Sequence, residues 1–178
     1  PTLLAVGRLV EKKGFEHLIR AMRIAGERSV FRARIVGDGP LRGPLEELAR
    51  ANGLAGRIEV LGWRTGREVS RLMAEADLFV APSVTAADGD MEGMPLVITE
   101  AMATGLPTIG SRHSGIPEVV LDGLNGLVVD ERDEPGIAEA LACFSDEDRR
   151  LEAAARARGM AETRFDSKAQ GDEFMSLL

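Results

Sequence analysis

Residues 3–22, LLAVGRLVEKKGFEHLIRAM, contain the unit from which the fold can be read. Leu3, Leu4, Ala5 and Val6 are apolar without alternation and end at Gly7, the pattern of a strand buried on both faces. After Gly14, Phe15, Leu18, Ile19 and Met22 return at the spacing of one helix face. The same unit recurs outward along the chain. Strands are expected at 33–36, 58–61, 78–81, 107–110 and 126–129, with helices through Leu41, Leu45, Leu48 and Ala49, through Val69, Leu72, Met73 and Ala76, and over 95–105. Two closing helices are expected at 135–144 and 146–163. Alternating strands and helices with short loops imply a doubly wound, Rossmann-like parallel sheet of six strands with helices on both faces, one α/β domain over residues 1–178. Ligands of such sheets bind beyond the carboxyl ends of the strands. The segments to read for chemistry are therefore 7–14, 37–40, 62–66, 82–95 and 111–117.

Composition removes several classes of function. The chain has 178 residues, 44% hydrophobic and 29% charged, which is the balance of a folded globular domain. A net charge of −7 argues against a nucleic-acid partner, since phosphate backbones reward clustered basic surface. One cysteine, Cys143, precludes an internal disulfide, and with two histidines it leaves no set for a Cys/His zinc site. Aromatic residues are 4% and tyrosine is absent, so the core must be aliphatic and Cys143 is expected within it. No apolar stretch approaches the roughly 20 residues of a membrane span, and no N-terminal signal pattern is present. Pro1 stands where an initiator Met would be, so the chain is expected to be part of a longer protein.

The segment with most chemistry is Glu92-Gly93-Met94-Pro95-Leu96-Val97-Ile98-Thr99-Glu100. Pro95 suits the first position of a helix, whose free amides and dipole form an anion site. Glu92 precedes that helix and Glu100 lies one turn beyond Leu96, so two carboxylates are staggered about a phosphate-binding helix start. Spacing alone allows equally that Glu92 caps the helix and Glu100 is a solvated charge.

These residues resemble the E-x(7)-E signature of group 1 glycosyltransferases, enzymes of the two-domain GT-B fold that use nucleotide-diphosphate sugars. The surroundings agree: Gly7-Arg8-Leu9 with Lys13-Gly14, Val36-Gly37-Asp38-Gly39-Pro40, Glu100-Ala101-Met102-Ala103-Thr104-Gly105-Leu106-Pro107, Gly115-Ile116-Pro117-Glu118 and Asn125-Gly126-Leu127-Val128. The resemblance spans essentially the whole chain and corresponds to the C-terminal, donor-binding half. The loop 83–93 and the run Arg112-His113-Ser114-Gly115-Ile116-Pro117-Glu118 look most like the colanic-acid and exopolysaccharide branch. The resemblance implies retaining, metal-independent transfer of a sugar to an acceptor hydroxyl of a glycan or lipid-linked acceptor, with the nucleotide-diphosphate sugar as substrate and no cofactor. It assigns Arg8 and Lys13 to the diphosphate, Glu92 to hydroxyls of the donor sugar, and Glu100 to the ribose; Arg8, Lys13 and Glu92 form the catalytic set. Gly93, Met94, Pro95 and Leu96 would supply backbone around sugar and phosphate, and the base would lie near Gly37, Gly62 and Trp63. The acceptor would be held by an N-terminal domain outside this chain. The place of action would be the cytoplasm, at the inner face of the membrane if that domain binds it.

Other readings stay open at this point. Trp63 fits stacking on a base or a place in the core or rim, and His113 a sugar contact or a turn. Asp88-Gly89-Asp90 with Glu92 shares residues with a calcium loop but lacks its full ligand spacing, so no metal site is expected. Glu118 fits the first turn of a short helix, and Asn125-Gly126 a tight turn. A sugar-nucleotide epimerase of GT-B shape and a non-catalytic nucleotide-sensing module are the rival functions.

Overall fold

Strands β1 (Thr2–Val6), β2 (Arg32–Val36), β3 (Ile58–Gly62), β4 (Leu78–Ala81), β5 (Thr108–Ser111) and β6 (Gly126–Val129) pair in parallel in the order β3-β2-β1-β4-β5-β6. The computed structural model describes residues 1–93 and 95–164. The order reverses between β1 and β4, so the loops leaving these two strands diverge and leave a crevice between them. Both strands are apolar on both faces because both faces are covered. Leu3 and Ala5 of β1 join Leu18, Ile19, Met22, Ile137 and Leu141 on one side, while Leu4 joins Phe79, Ile98, Met102 and Ala157 on the other. Helices α1 (Phe15–Ala25), α2 (Arg42–Ala51) and α6 (Glu134–Cys143) cover the first face. Helices α3 (Gly66–Glu75), α4 (Leu96–Ala103) and α5 (Ile116–Val119) cover the second, where α7 (Glu147–Arg164) packs on α4. Truncating a fully buried Leu or Ile to Ala costs about 2–5 kcal/mol. This double core is mainly aliphatic, with Phe15, Phe31, Phe79 and Phe144 buried in it.

Local chemistry sets the element ends. Thr65 and Glu68 form a reciprocal capping box at α3, and Asp133 Oδ1 accepts from Gly136 N at 2.9 Å to open α6. Two glycines press the site loops together. A Cβ on Gly14 (φ 63) would lie 1.9 Å from the Pro82 carbonyl oxygen, and one on Gly37 (φ 141) 1.8 Å from that of Gly7. Side chains at these positions would separate the loop after β1 from the loops after β4 and β2.

Several expectations need correction. Pro95 is not the first helical residue: at φ −70 and ψ 114 it is the N-cap, and α4 starts at Leu96. The loop after β1 contains one 3-10 turn, Glu11–Lys13. Asn125 does more than turn the chain: its buried amide donates to the Val119 carbonyl at 2.9 Å and accepts from Leu121 N at 2.7 Å. Cys143 is half-buried rather than core, with Arg149 Nη1 3.3 Å from its Sγ. Glu118 lies in the first turn of α5, as expected. No helix among the described residues is long and apolar enough to cross a membrane.

Candidate functional site

The expected residues converge on the carboxyl edge of the sheet, on both sides of the β1–β4 reversal. The loop after β1 carries Arg8, exposed and with no ion pair among the described residues, and Lys13, whose stem lies across Gly7. The loop after β4 carries Glu92. Lys13 Nζ and Glu92 Oε2 are 2.7 Å apart, and both side chains are about 15% exposed. Ser83 Oγ lies 3.4 Å from the same carboxylate oxygen. The cation assigned to phosphate and the carboxylate assigned to sugar thus form one partly desolvated pair, where Coulombic attraction is stronger than on open surface. Glu92 does not cap α4.

The loop 83–92 is tied down along its length. Val84 N donates to the Lys12 carbonyl at 2.9 Å, Ala87 N to Glu11 Oε1 at 3.0 Å, and Lys12 Nζ to Asp90 Oδ1 at 3.0 Å. Asp88 Oδ1 accepts from Asp90 N at 2.9 Å, so these aspartates close a turn and hold a lysine. No metal-holding group of three or more His, Cys, Asp and Glu occurs among the described residues.

The other half of the site is less bound. Gly93 is exposed, Met94 lies outside the described residues, and Pro95 is half-buried. Leu96 is 70% exposed, and Glu100 sits on the same outer face of α4, without an ion pair among the described residues. The inner face of that helix is Ile98, Ala101 and Met102. The amides of Leu96 and Val97 have no partner among the described residues, while Ile98 N is already bonded to the Pro95 carbonyl at 3.0 Å. Gly37 N donates to the Gly62 carbonyl at 3.0 Å, which joins the loops after β2 and β3. Trp63, 68% exposed, projects from the latter, so the core alternative for this residue is removed.

At this edge sequence reasoning missed Glu131 and left His113 between a sugar contact and a turn. His113, 1% exposed, does not reach an open surface: its Nδ1 lies 2.6 Å from Glu131 Oε1, and its Nε2 accepts from Glu92 N at 3.2 Å. Glu131 also accepts from Thr85 N at 2.9 Å. Burial pushes the Glu131 carboxyl up, but the Thr85 amide, His113 and the Thr85 hydroxyl outweigh it and hold the group below the usual carboxylate range. The available signal was position: Glu131 lies two residues past the end of the last strand, and all parallel strands end at the same edge.

At the opposite edge of the sheet, Gly123, Leu127, Cys143, Phe144 and Arg149 line a depression. None of the expected site residues lies there.

The profile of the family described as "Glycosyl transferases group 1" matches residues 1–147. The chain belongs to the group 1 glycosyltransferases. Among its relatives, WcaL of Escherichia coli (strain K12), assigned as a colanic acid biosynthesis glycosyltransferase, is 41% identical over 179 residues, covering 99% of this chain and 44% of that protein. The amylovoran biosynthesis glycosyltransferase AmsK of Erwinia amylovora is 40% identical over 144 residues, 80% of this chain and 35% of that protein. The chain thus spans less than half the length of these curated relatives. Among solved structures, Anabaena Alr3699/HepE in complex with UDP superposes with a TM-score of 0.83 at 29% identity, covering 99% of this chain and 49% of that one. The architecture is that of the C-terminal domain of a GT-B group 1 glycosyltransferase. Its sheet order, with the reversal beside Lys13 and Glu92, is the feature of that architecture most relevant to the site.

Proposed function

We propose that this chain is the donor-binding lobe of a retaining, metal-independent glycosyltransferase of exopolysaccharide or other cell-surface glycan synthesis. The observation that carries the reading is the Lys13–Glu92 pair at the β1–β4 reversal, with Arg8 on one side and the α4 amides and Glu100 on the other. A diphosphate seated there meets Arg8, Lys13 and the amides of Leu96 and Val97. The ammonium of Lys13 has three N–H groups, enough to serve a phosphate oxygen and Glu92 together. Glu92 then faces the sugar next to that phosphate, and Glu100, one turn along α4, faces the ribose. Trp63 gives the base an exposed aromatic face beside Gly37 and Gly62.

In the transfer, the acceptor hydroxyl oxygen bonds to the anomeric carbon while the bond from that carbon to the diphosphate oxygen breaks. The acceptor proton passes to the departing diphosphate on the same face, which preserves anomeric configuration. Negative charge grows on the leaving oxygens, where Arg8, Lys13 and the helix amides can stabilise it; one such preorganised donor is worth about 2.7–4 kcal/mol. Two cations already in place support a reaction without a divalent ion. The acceptor would be held by an N-terminal domain, and its positioning is worth roughly 7–11 kcal/mol, so this lobe alone should bind donor without transferring sugar.

Relatives differ in donor. HepE has been crystallised with UDP-glucose, whereas a mycobacterial mannosyltransferase that is 36% identical over 178 residues is GDP-mannose-dependent. Titration calorimetry with UDP-, GDP- and ADP-sugars, with and without EDTA, tests the reading. Micromolar binding of one donor that survives EDTA is the expected result. Binding only with a divalent ion would refute metal independence, and binding of none would refute the donor role.

A further inference from the structure

His113 and Glu131 form a chain of contacts that ends on the backbone of Glu92. His113 follows β5 and Glu131 follows β6, so two adjacent parallel strands deliver them to the same edge. An ionised carboxylate only accepts, so the 2.6 Å contact with Glu131 Oε1 places the imidazole proton on Nδ1. The Glu92 amide only donates, so the 3.2 Å contact at Nε2 requires a lone pair there. Together the two contacts admit one species, the neutral ring protonated at Nδ1. Glu131 is itself fixed, by Thr85 N at 2.9 Å, Thr85 Oγ1 at 3.3 Å and Arg132 Nη1 at 3.6 Å. Arg132 Nη2 also donates to the Thr85 carbonyl.

The pair therefore holds both ends of the loop that crosses the site. Thr85, at its start, rests on Glu131; Glu92, at its end, rests on His113. Burial of the ring and use of both its nitrogens leave His113 nothing with which to touch a sugar.

We propose that His113 and Glu131 are positioning residues, which fix the Glu92 main chain and so direct its carboxylate toward Lys13 and the donor sugar. The proposal rests on the donor-sugar role given to Glu92 above. His113 selects the sugar through Glu92 and contributes nothing to nucleotide affinity.

The amide side chains divide the function of the ring. In H113Q the carboxamide oxygen can reach the place of Nε2 and accept from Glu92 N. In H113N the shorter amide reaches only as far as Nδ1, toward Glu131. The quantity to measure is the affinity gained when the sugar is added, the Kd ratio of UDP to UDP-glucose and of GDP to GDP-mannose, taken by calorimetry on the 178-residue chain. H113N should lose about fivefold of that gain, the worth of one hydrogen bond to the orienting group, with nucleoside diphosphate affinity unchanged and H113Q close to wild type. Nitrogen-15 imidazole shifts of the wild type should show the neutral form protonated at Nδ1. E92Q is run alongside. A gain lost in E92Q but kept in H113N overturns the positioning role alone, and a gain that survives E92Q overturns the donor-sugar role of Glu92 and the proposal with it. An Nε2-protonated ring in the wild type overturns the proposal whatever the folding yield of the variants.

Discussion

Two halves of one cleft are built in opposite ways. On the side proposed for sugar and phosphate, Lys13, Glu92, His113 and Glu131 are at most a quarter exposed, and contacts of 2.6–3.2 Å link each to the next. On the side proposed for the nucleoside, the side chains of Trp63 and Glu100 stand in solvent without such partners among the described residues. The difference follows from where charge changes. Bond breaking at the sugar rewards groups aimed in advance, because a preorganised dipole spends no free energy on turning during the reaction. Base and ribose only need to be held, and contacts formed on arrival suffice for that. Substitutions on the two sides should therefore fail in different ways.

The largest effect is expected on the ordered side. K13A removes a cation proposed to meet the diphosphate and leaves Glu92 partly buried without its partner. Nucleoside diphosphate affinity should fall by about 10–100-fold, the loss of one or two charge-assisted hydrogen bonds, while nucleoside affinity stays within about twofold. Calorimetry with UDP against uridine and GDP against guanosine reads the difference, and equal losses for both ligand types would remove Lys13 from the diphosphate.

Next in size is E92Q, which keeps shape and frees the Lys13 ammonium from a competing carboxylate. Nucleoside diphosphate binding should hold or tighten, while the affinity added by the sugar falls by about tenfold. A parallel loss in both would mean that Glu92 serves the fold of the loop rather than the sugar.

On the open side E100A should weaken nucleoside and nucleoside diphosphate by the same factor, about threefold to tenfold, since ribose is common to both. Its melting temperature should stay near wild type, because an exposed, unpaired side chain contributes within about 0.5 kcal/mol. A melting shift with unchanged affinity would make Glu100 structural.

How much of this was visible in the sequence depends on the range of the interactions. The six strands were legible as short runs rich in apolar residues, unbroken in β1 and β4 and interrupted by Arg34 in β2 and Glu59 in β3, and β4 and β6 end where the sequence pattern ends. Gly14 and Gly37 marked the site loops, though not the backbone oxygens they approach. Pro95 was misplaced by one residue because its fixed φ suits both the N-cap and the first helical position; ψ decides, and ψ is not set by the ring. The Lys13–Glu92 pair was missed, although both residues were expected in the site, since a contact across 79 residues depends on how two loops fold over the same edge. His113 was left between sugar contact and turn residue because its partners, Glu92 and Glu131, lie 21 and 18 residues away on neighbouring strand ends.

The smallest effect is a pH dependence on the ordered side. Glu131 is held ionised below the usual carboxylate range, so its contribution to stability is present above the ordinary value of 4.5 and disappears as pH falls through the lower value of the folded state. E131Q should melt lower than wild type at neutral pH, and the gap should narrow as pH falls from 4.5 through the lower folded-state value of the Glu131 carboxyl. An E131Q gap that persists unchanged into acid would show that the charge of Glu131 does not support the loop.

On the proposed function, donor binds at the carboxyl edge, across the β1–β4 reversal. Amide chemical shifts of the nitrogen-15-labelled chain, followed through a titration with the donor that calorimetry selects, test it most directly. Shifts should concentrate at Arg8, Leu9, Lys13, Gly14, Gly37, Trp63, Glu92, Leu96 and Val97, and be small at Gly123, Leu127, Phe144 and Arg149 across the sheet. Shifts centred on that opposite edge, or none at saturating donor, would contradict the account.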